Sequence, residues 1–291
     1  MPALGLDLGG TKLLGGRVGD DGQVLESRRR LIGGLPLQEL LDVIADVVDG
    51  LGPDDPVGVG IPALIDRSTG EAVYCNHLPL GGIPVAEVLA ERLGRPVVVD
   101  NDANCAVLAE WRLGAARGRS HVALLTLGTG IGGGLVLDGR VYRGALGAAA
   151  ELGHMPVDLD GPPCFGGCPG RGCLEAMASG KALAREAERV LGEPLTGEAV
   201  TQRALAGEPD AVALLGWLGR NLGVGLAGIA NALNPELIVI GGGVIAAGEL
   251  LLEPARAELR RRALAPSREV DVVAAELGAA AGMIGAALLA S

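Results

Sequence analysis

The sequence predicts an α/β protein of two domains with a central cleft, and three observations favour this fold class. The chain has 291 residues, enough for two domains of ordinary size. Residues 3–18 and 121–137 share one pattern: a short apolar strand, a glycine-rich turn and a returning strand. Residues 96–106 contain a strand of valines that leads directly into a helix, as in an open α/β sheet.

Apolar periodicity places the other elements in order. Further strands are predicted at residues 13–18, 23–31, 57–62, 97–99 and 270–274. Helices are predicted at residues 37–51, 85–93, 103–111, 180–191, 211–233 and 279–289. A basic run at residues 256–262 lies on a further helix, and we interpret it as a solvated or subunit face instead of a nucleic-acid patch.

The amino-acid composition limits the classes of binding partner that we expect. The net charge of -11 argues against nucleic acid or an anionic membrane as the main partner, because both reward a basic surface. The first residues lack the basic region of a signal peptide, and the apolar runs are interrupted too soon for a membrane-spanning helix. We therefore expect a cytoplasmic protein that binds neither nucleic acid nor a membrane.

A cluster of metal-ligand side chains lies in residues 151–175. His154, Cys164, Cys168 and Cys173 form a Cys3His set, which suits tetrahedral zinc and leaves no position open for water. The alternatives are a disulfide plus a spare thiol, or three unrelated core cysteines. Clustered cysteines in a cytosolic chain favour a structural metal.

Two carboxylates flank this cluster. A zinc knuckle joining His154 to the run before Glu175 would hold Glu151 and Glu175 beside each other. Such a pair suits a site that binds several hydroxyl groups.

The first glycine turn has the sequence Asp7-Leu-Gly-Gly-Thr-Lys12. Backbone N–H groups at Gly9 and Gly10 and the Thr11 hydroxyl would lie at its tip, which is one way to cradle a phosphate. Asp7 precedes the turn, where it could hold a magnesium-bound water. An ordinary hairpin explains the two glycines nearly as well.

Four polar residues crowd the end of the valine strand: Asp100, Asn101, Asp102 and Asn104. Ligands of open α/β sheets bind at the carboxyl ends of strands, so one of these aspartates could be a general base. Helix capping is the alternative, although it would use only one such residue. Asn76, on an earlier loop, could bind a hydroxyl or simply form a turn.

The second glycine turn, Gly128-Thr129-Gly130, repeats the plan of the first. Two such turns facing each other across a cleft would clamp a nucleotide.

The chain resembles the ROK family of sugar kinases and regulators along nearly its whole length. The stretches that resemble the family motifs are, in order, residues 7–12, 101–104, 127–133, 144–154, 168–175 and 234–243. Singly these motifs are modest, but their order and spacing together are specific.

Three departures accompany the resemblance. The family commonly has one residue between the first two cysteines of the knuckle, whereas Cys164 and Cys168 are separated by Phe165, Gly166 and Gly167. This spacing puts the role of Cys164 in doubt. Ala150 and Ala63 stand where the family often has glycine, which would narrow the sugar pocket slightly.

The resemblance implies an actin-like, ribonuclease H-like ATPase fold with an inserted zinc knuckle. Residues 1–113 and 278–291 would form a small N-terminal domain, and residues 114–277 a larger C-terminal domain containing the knuckle. It also implies a homodimer or homotetramer.

The implied activity is ATP-dependent phosphorylation of a hexose at the 6-hydroxyl, with glucose as first choice. Asp102 would accept the hydroxyl proton. The ring would be held by Asn101, Asp102, Glu151, His154 and Glu175, with Asn76 as a weaker candidate. The nucleotide and Mg²⁺ would be held by Asp7, Gly9, Gly10, Thr11, Lys12, Gly128, Thr129, Gly130, Gly241, Gly242 and Gly243.

Three alternatives stay open. The acceptor could be N-acetylmannosamine, fructose, mannose or allose, because the residues that grip the ring are largely shared. The donor could be polyphosphate. A sugar-responsive ROK regulator is expected to carry an N-terminal helix-turn-helix, whereas the first strand here starts at Ala3.

Overall fold

Two mixed five-stranded sheets form the framework of the computed structural model, which describes residues 1–52 and 54–291. The strands are β1 (Ala3–Leu8), β2 (Lys12–Val18), β3 (Val24–Leu31), β4 (Val57–Ile61), β5 (Leu64–Ile65), β6 (Ala72–Tyr74), β7 (Val97–Asn101), β8 (Val122–Leu127), β9 (Ile131–Leu137), β10 (Arg140–Val141), β11 (Leu237–Gly241) and β12 (Asp271–Ala274). The helices are α1 (Leu37–Leu51), α2 (Val85–Leu93), α3 (Asp102–Arg112), α4 (Leu174–Ala178), α5 (Gly180–Leu191), α6 (Gly197–Leu205), α7 (Pro209–Leu233), α8 (Glu249–Arg262) and α9 (Ala281–Ala290).

The first sheet has the strand order β3-β2-β1-β4-β7. β1 pairs antiparallel with β2 and parallel with β4, and β4 pairs parallel with β7. Helix α1 covers one face of this sheet. Its apolar residues recur every three or four positions, so Leu40, Ile44 and Val48 all enter the same core.

Helix α9 packs on the first sheet, although it follows the second sheet in sequence. Two strand glycines permit the contact. A Cβ atom at Gly5 would overlap the backbone of Met283, and one at Gly58 would overlap the backbone of Ala286. The end of the chain therefore completes the core of its beginning.

The second sheet has the order β10-β9-β8-β11-β12. Strands β8, β11 and β12 run parallel, while β9 returns antiparallel beside β8. Strands β1 and β7 of the first sheet and β8 and β11 of the second contribute residues at or next to their ends to one cavity, which is described below.

Helix α7 packs in the same hydrophobic core as the second sheet. It has 25 residues and is long and apolar enough to cross a membrane by length and composition, so the expectation that every apolar run is too short is wrong. A single arginine, Arg220, does not interrupt the apolar character of the helix. Of its 18-residue apolar window, 56% is buried inside the protein, where α7 packs against α8, α6 and α4. This burial accounts for its apolar surface.

The periodicity predicted several elements well. The helices predicted at residues 37–51, 85–93 and 180–191 are confirmed with the same boundaries. The short hairpin of β5 and β6 and the helix α6 were not predicted. Strands of two or three residues are too short to show a period.

The basic run lies on α8, where its arginines pair with glutamates of the same helix. Arg261 and Arg262 both contact Glu258, and Arg260 contacts Glu253. Paired charges of this kind agree with a solvated face.

Candidate active site

The junction of β7 and α3 holds the residues predicted to carry catalysis. Asn101 caps α3, because its Oδ1 accepts hydrogen bonds from the backbone of Ala103 at 2.9 Å and of Asn104 at 3.1 Å. Asp102 is the first residue of the helix, and its Oδ1 also accepts from Ala103, at 2.8 Å. Since Asn101 already supplies the cap, the helix does not depend on the Asp102 carboxylate.

Asp100 and Asn104 have structural partners instead. Asp100 is buried and forms an ion pair with Arg143, at 2.5 Å from Nη2 and 2.6 Å from Nε. It also accepts a hydrogen bond from Asn104 Nδ2 at 2.9 Å. Arg143 precedes the loop that leads to Glu151, so this ion pair ties the β7 junction to the knuckle side of the protein. Asn104 Oδ1 is buried without a hydrogen-bond partner among the described residues.

A cavity of about 180 Å³ lies where strands of the two sheets end. From the first sheet it is lined by Asp7 and Asp102, and from the second by Thr126, Gly241 and Gly242. Segments 103–110 and 275–282 complete the lining. The cavity therefore brings together Asp102, the predicted base, Asp7, the predicted magnesium ligand, and the predicted nucleotide loop after β11.

The electrostatics of the cavity favour a base at Asp102. Burial raises the pKa of Asp102 to about 7, and the negative charge of Asp7 acts in the same direction. A carboxylate with this pKa is a stronger base than an exposed one, yet it is still largely ionised just above neutral pH.

This pKa predicts an acid limb in the pH profile. We expect kcat/KM for the sugar to fall about tenfold for each pH unit below about 7, because protonated Asp102 cannot accept a proton. Asp7→Asn should move the limb to lower pH, since it removes a negative charge that raises the pKa of Asp102. Steady-state rates between pH 5 and pH 9 test this. A rate that rises as the pH falls below neutral would contradict it.

Asp7 itself fits a cation site. Burial raises the pKa of Asp7 to about 6. No hydrogen bond from the described residues stabilises its charged form and lowers that pKa again. A Cβ atom at Gly282 of α9 would lie 2.6 Å from Asp7 Oδ2, so α9 closes one side of this carboxylate. Unpaired carboxylate oxygens are the ligands that Mg²⁺ prefers, directly or through water.

The two glycine turns lie outside the cavity lining. In the first, Gly9 N donates to Lys12 O at 2.8 Å, while Thr11 and Lys12 are exposed. A Cβ atom at Gly10 would lie 3.1 Å from the His77 side chain. This turn therefore has an accessible tip, and its glycine permits the loop after β6 to approach.

The second turn is held from three directions. Gly128 N donates to Gly130 O at 2.9 Å, and Gly180 N at the start of α5 donates to Gly128 O at 2.9 Å. Glu175 Oε2 accepts from Ile131 N at 2.8 Å. The family resemblance implies only a sugar-binding role for Glu175. In the structure one of its oxygens also holds the backbone that follows the second glycine turn.

The loop after β11 reaches the same region. Gly242 has φ of 84°, and a Cβ atom there would overlap the backbone of Leu127 at the end of β8. Glycine is required at this position by both conformation and space. Gly243 begins a 3-10 turn that leads to α8, and it is not among the residues lining the cavity.

The four predicted metal ligands form one cluster. Their ligand atoms all lie within 4.8 Å of one another, with Cys168 and Cys173 sulfurs 4.0 Å apart and Cys164 Sγ 3.5 Å from His154 Nδ1. Tetrahedral zinc with bonds of about 2.3 Å would place its sulfurs slightly under 4 Å apart. The cysteines are free, so the structure contradicts the disulfide alternative. The longer spacing does not remove Cys164 from the cluster.

The chemistry of the four clustered side chains favours a bound cation. Burial, followed by the neighbouring thiols, raises the pKa of Cys164 to about 12. Three thiols this close become thiolates together only when a cation balances their charge.

We predict about one zinc ion per chain, lost when a ligand is replaced. Metal analysis of purified Cys173→Ser protein should find almost none, while Cys75→Ser should retain it because Cys75 lies outside the cluster. Equal zinc content in parent and Cys173→Ser would remove the metal site.

His154 connects this cluster to Glu151. Its Nδ1 faces the thiols, and its Nε2 lies 3.8 Å from Glu151 Oε2. Partial burial raises the pKa of Glu151, Glu175 adds to the increase, and His154 opposes it. Metal binding at Nδ1 would thus orient the ring edge that faces Glu151.

Ala150 precedes Glu151 with φ of 67°. This left-handed conformation favours glycine, which gives a physical reason for the glycine that the family often has there.

Asn76 lies on the loop after β6. Its Nδ2 donates to the Tyr74 hydroxyl at 2.5 Å. Tyr74, Thr126 and Glu110 are site neighbours that sequence reasoning missed. Tyrosine and threonine in a strand look like ordinary strand residues, and Glu110 carries no motif of its own.

Fold and site together define an α/β protein with two five-stranded sheets, a carboxylate-lined cavity, two glycine turns and a Cys3His cluster. The ROK family model matches residues 3–291. The chain belongs to the ROK family. The resemblance seen in its motifs is confirmed.

The relatives are similar along nearly their whole length. A glucokinase of Streptomyces coelicolor is 35% identical over 99% of this chain and 96% of that protein. A glucokinase of Thermotoga maritima is 36% identical over 98% and 95%. A crystal structure of a ROK family glucokinase from Streptomyces griseus in complex with glucose and AMPPNP has a TM-score of 0.88 and 35% identity, covering 100% and 99%.

Kinases for other sugars also match. An N-acetyl-D-glucosamine kinase of Photobacterium profundum is 32% identical over 98% of both chains. Overall similarity alone therefore separates these acceptors poorly.

Proposed function

We propose that this protein is an ATP-dependent hexokinase that converts glucose to glucose 6-phosphate, with Asp102 as general base. One observation carries the proposal. Asp102 lines the same cavity as Asp7 and the glycines after β11, and burial there raises its pKa to about 7. The near full-length similarity to two glucokinases supports glucose as the acceptor.

The nucleotide lies between the two glycine turns in this proposal. Thr11, Thr129 and Gly130 donate to phosphate oxygens, and Gly241, Gly242 and Gly243 receive the adenosine end. Asp7 would hold the magnesium ion, which when bound would supply positive charge to neutralise the phosphates.

The sugar lies between Asp102 and the knuckle. Asn101 retains a donor for it: one Nδ2 hydrogen is directed to Ala63 O at 3.3 Å, and an amide has two. Glu151 and Glu175 accept from ring hydroxyls, and His154 contacts the sugar through its Nε2 edge. Asn76, already bonded to Tyr74, is a weaker contact.

The reaction is a single displacement. The 6-hydroxyl oxygen forms a bond to the γ-phosphorus, the bond from that phosphorus to the ADP oxygen breaks, and the hydroxyl proton passes to Asp102. Because the transition state is loose, the proton leaves late and a carboxylate suffices as base. Closure of an actin-like pair of domains around the substrates excludes water and limits ATP hydrolysis.

We propose that zinc in the Cys3His knuckle is structural. It fixes the orientation of His154 and the distance from Cys173 to Glu175, so that both ends of the knuckle stay in place. We place the enzyme in the cytoplasm as a homodimer or homotetramer, which sedimentation can distinguish.

A coupled assay of ADP release tests the proposal. The panel contains glucose, mannose, fructose, allose, N-acetylglucosamine and N-acetylmannosamine with ATP, and glucose with polyphosphate. We expect glucose with ATP to give the highest kcat/KM. Absence of turnover with every sugar would refute the kinase assignment, and a different best sugar would correct the acceptor only.

A further inference from the structure

The segment Phe165–Gly167 lies between two cysteines of the knuckle and contacts β6 and the loop that follows it. A Cβ atom at Gly167 would lie 2.7 Å from the Tyr74 hydroxyl oxygen and 3.2 Å from Asn76 Nδ2. The Gly167 backbone therefore packs directly against these two polar groups. Gly166 has φ of 64°, and its Cβ position is 3.7 Å from the same Asn76 nitrogen. We call this segment the knuckle lid.

The other side of the lid rests on α5. Phe165, the single phenylalanine of the chain, has its ring centroid 5.4 Å from Lys181 Nζ and 5.7 Å from Arg185 Cζ. Both distances suit cation–π contacts. Helix α5 begins at Gly180, which is bonded to the second glycine turn. The lid thus spans from the loop after β6 to the helix that supports the nucleotide turn.

The geometry of the hexose ring determines which substituent of the sugar lies farthest from Asp102. In a hexopyranose, C5 carries the 6-hydroxymethyl group, and C2 lies directly across the ring from C5. When the 6-hydroxyl faces Asp102, the substituent on C2 is the ring substituent farthest from it. In the proposed binding mode, in which His154 contacts the ring, that end of the sugar would face the knuckle. Cys164, the residue before the lid, lies 3.5 Å from His154.

We propose that the knuckle lid closes the pocket over C2 and selects a hydroxyl group there over an acetamido group. The inference rests on the proposed hexokinase function. An acetamido group exceeds a hydroxyl by a whole acetyl unit. Admitting it requires the lid to move away from Tyr74 and Asn76, and the Phe165 contacts with α5 resist that movement. The lid thereby favours hexoses over N-acetylhexosamines.

The test compares kcat/KM for N-acetylglucosamine and for glucose in the zinc-loaded enzyme. Deleting Gly166 and Gly167 shortens the lid to one residue between the cysteines. Phe165→Ala frees the lid from α5 without changing cysteine spacing, and Phe165→Tyr, which keeps the ring, is the matched control. We expect the ratio of N-acetylglucosamine to glucose to rise about tenfold in the deletion, less in Phe165→Ala, and to stay at the parent value in Phe165→Tyr.

Metal analysis of each variant separates pocket effects from loss of the knuckle. If the deletion loses its zinc, Phe165→Ala decides. A ratio unchanged in zinc-loaded Phe165→Ala and in any zinc-loaded deletion would overturn the proposal. So would a parent enzyme that prefers N-acetylglucosamine, even though the kinase assignment would then stand. A parent that phosphorylates no sugar would instead refute the proposed function.

Discussion

Asp102→Asn is expected to lower kcat for glucose phosphorylation by about a hundredfold to ten-thousandfold. The amide cannot accept the proton of the 6-hydroxyl, and a loss of this size corresponds to about 3 to 5 kcal/mol of transition-state stabilisation. The KM for glucose should change much less, because most of the proposed ring contacts come from other residues. A coupled assay at saturating MgATP measures both constants.

The structure also separates this effect from folding. Asn101 caps α3, so Asp102→Asn removes no cap, and it eliminates a carboxylate whose burial raises its pKa to about 7. We expect a thermal midpoint no lower than that of the parent. Asp49→Asn, an exposed position on α1, controls for the loss of one negative charge. If Asp102→Asn keeps kcat within about threefold of the parent, Asp102 is not the base.

Glu110→Ala is expected to cost about 3 kcal/mol of stability or more. Glu110 is fully buried on α3, and its carboxylate accepts three backbone hydrogen bonds: from Leu277 N at 2.8 Å, Ala115 N at 2.9 Å and Glu276 N at 3.2 Å. Alanine would leave these part-buried N–H groups without their acceptor and add a cavity at the buried Glu110 position. Urea unfolding measures the loss.

The three donors lie on the two segments where the chain passes between the proposed domains, near residues 113–114 and 277–278. One carboxylate therefore ties both crossings to α3, the helix that begins with Asp102. Glu110→Gln keeps one acceptor oxygen and should lose less stability than Glu110→Ala. Glu198→Ala, on the exposed side of α6, should be nearly neutral. A urea midpoint for Glu110→Ala equal to that of the parent would show that these hydrogen bonds are dispensable.

Local patterns explain what was predictable from the chain alone. The 3.6-residue period of α1 predicted both its boundaries and its buried face, because one side of that helix meets the sheet along its whole length. The Cys3His pattern predicted that these four side chains cluster, because few other roles bring one imidazole and three thiols together. The order of the motifs predicted the family.

The roles of the polar residues around Asp102 were not predictable in the same way. Asp102 and three of these residues crowd the end of one strand, and the sequence does not distinguish a cap from a base. Arg143, 43 positions away, forms an ion pair with the Asp100 carboxylate, and Asn101 caps the helix. Of the four residues, Asp102 is the one that lines the cavity.

The sequence by itself determined most of the elements, the family and the chemical identity of the site residues, because each of these depends on residue type and on spacing along the chain. The tertiary structure alone decided which side chains share a partner. It joined Glu175 to Ile131, Glu110 to Glu276 and Leu277, and the knuckle lid to Tyr74. Such contacts depend on how two sheets and their helices pack, and a hydrogen bond between residues many positions apart leaves no period in the sequence.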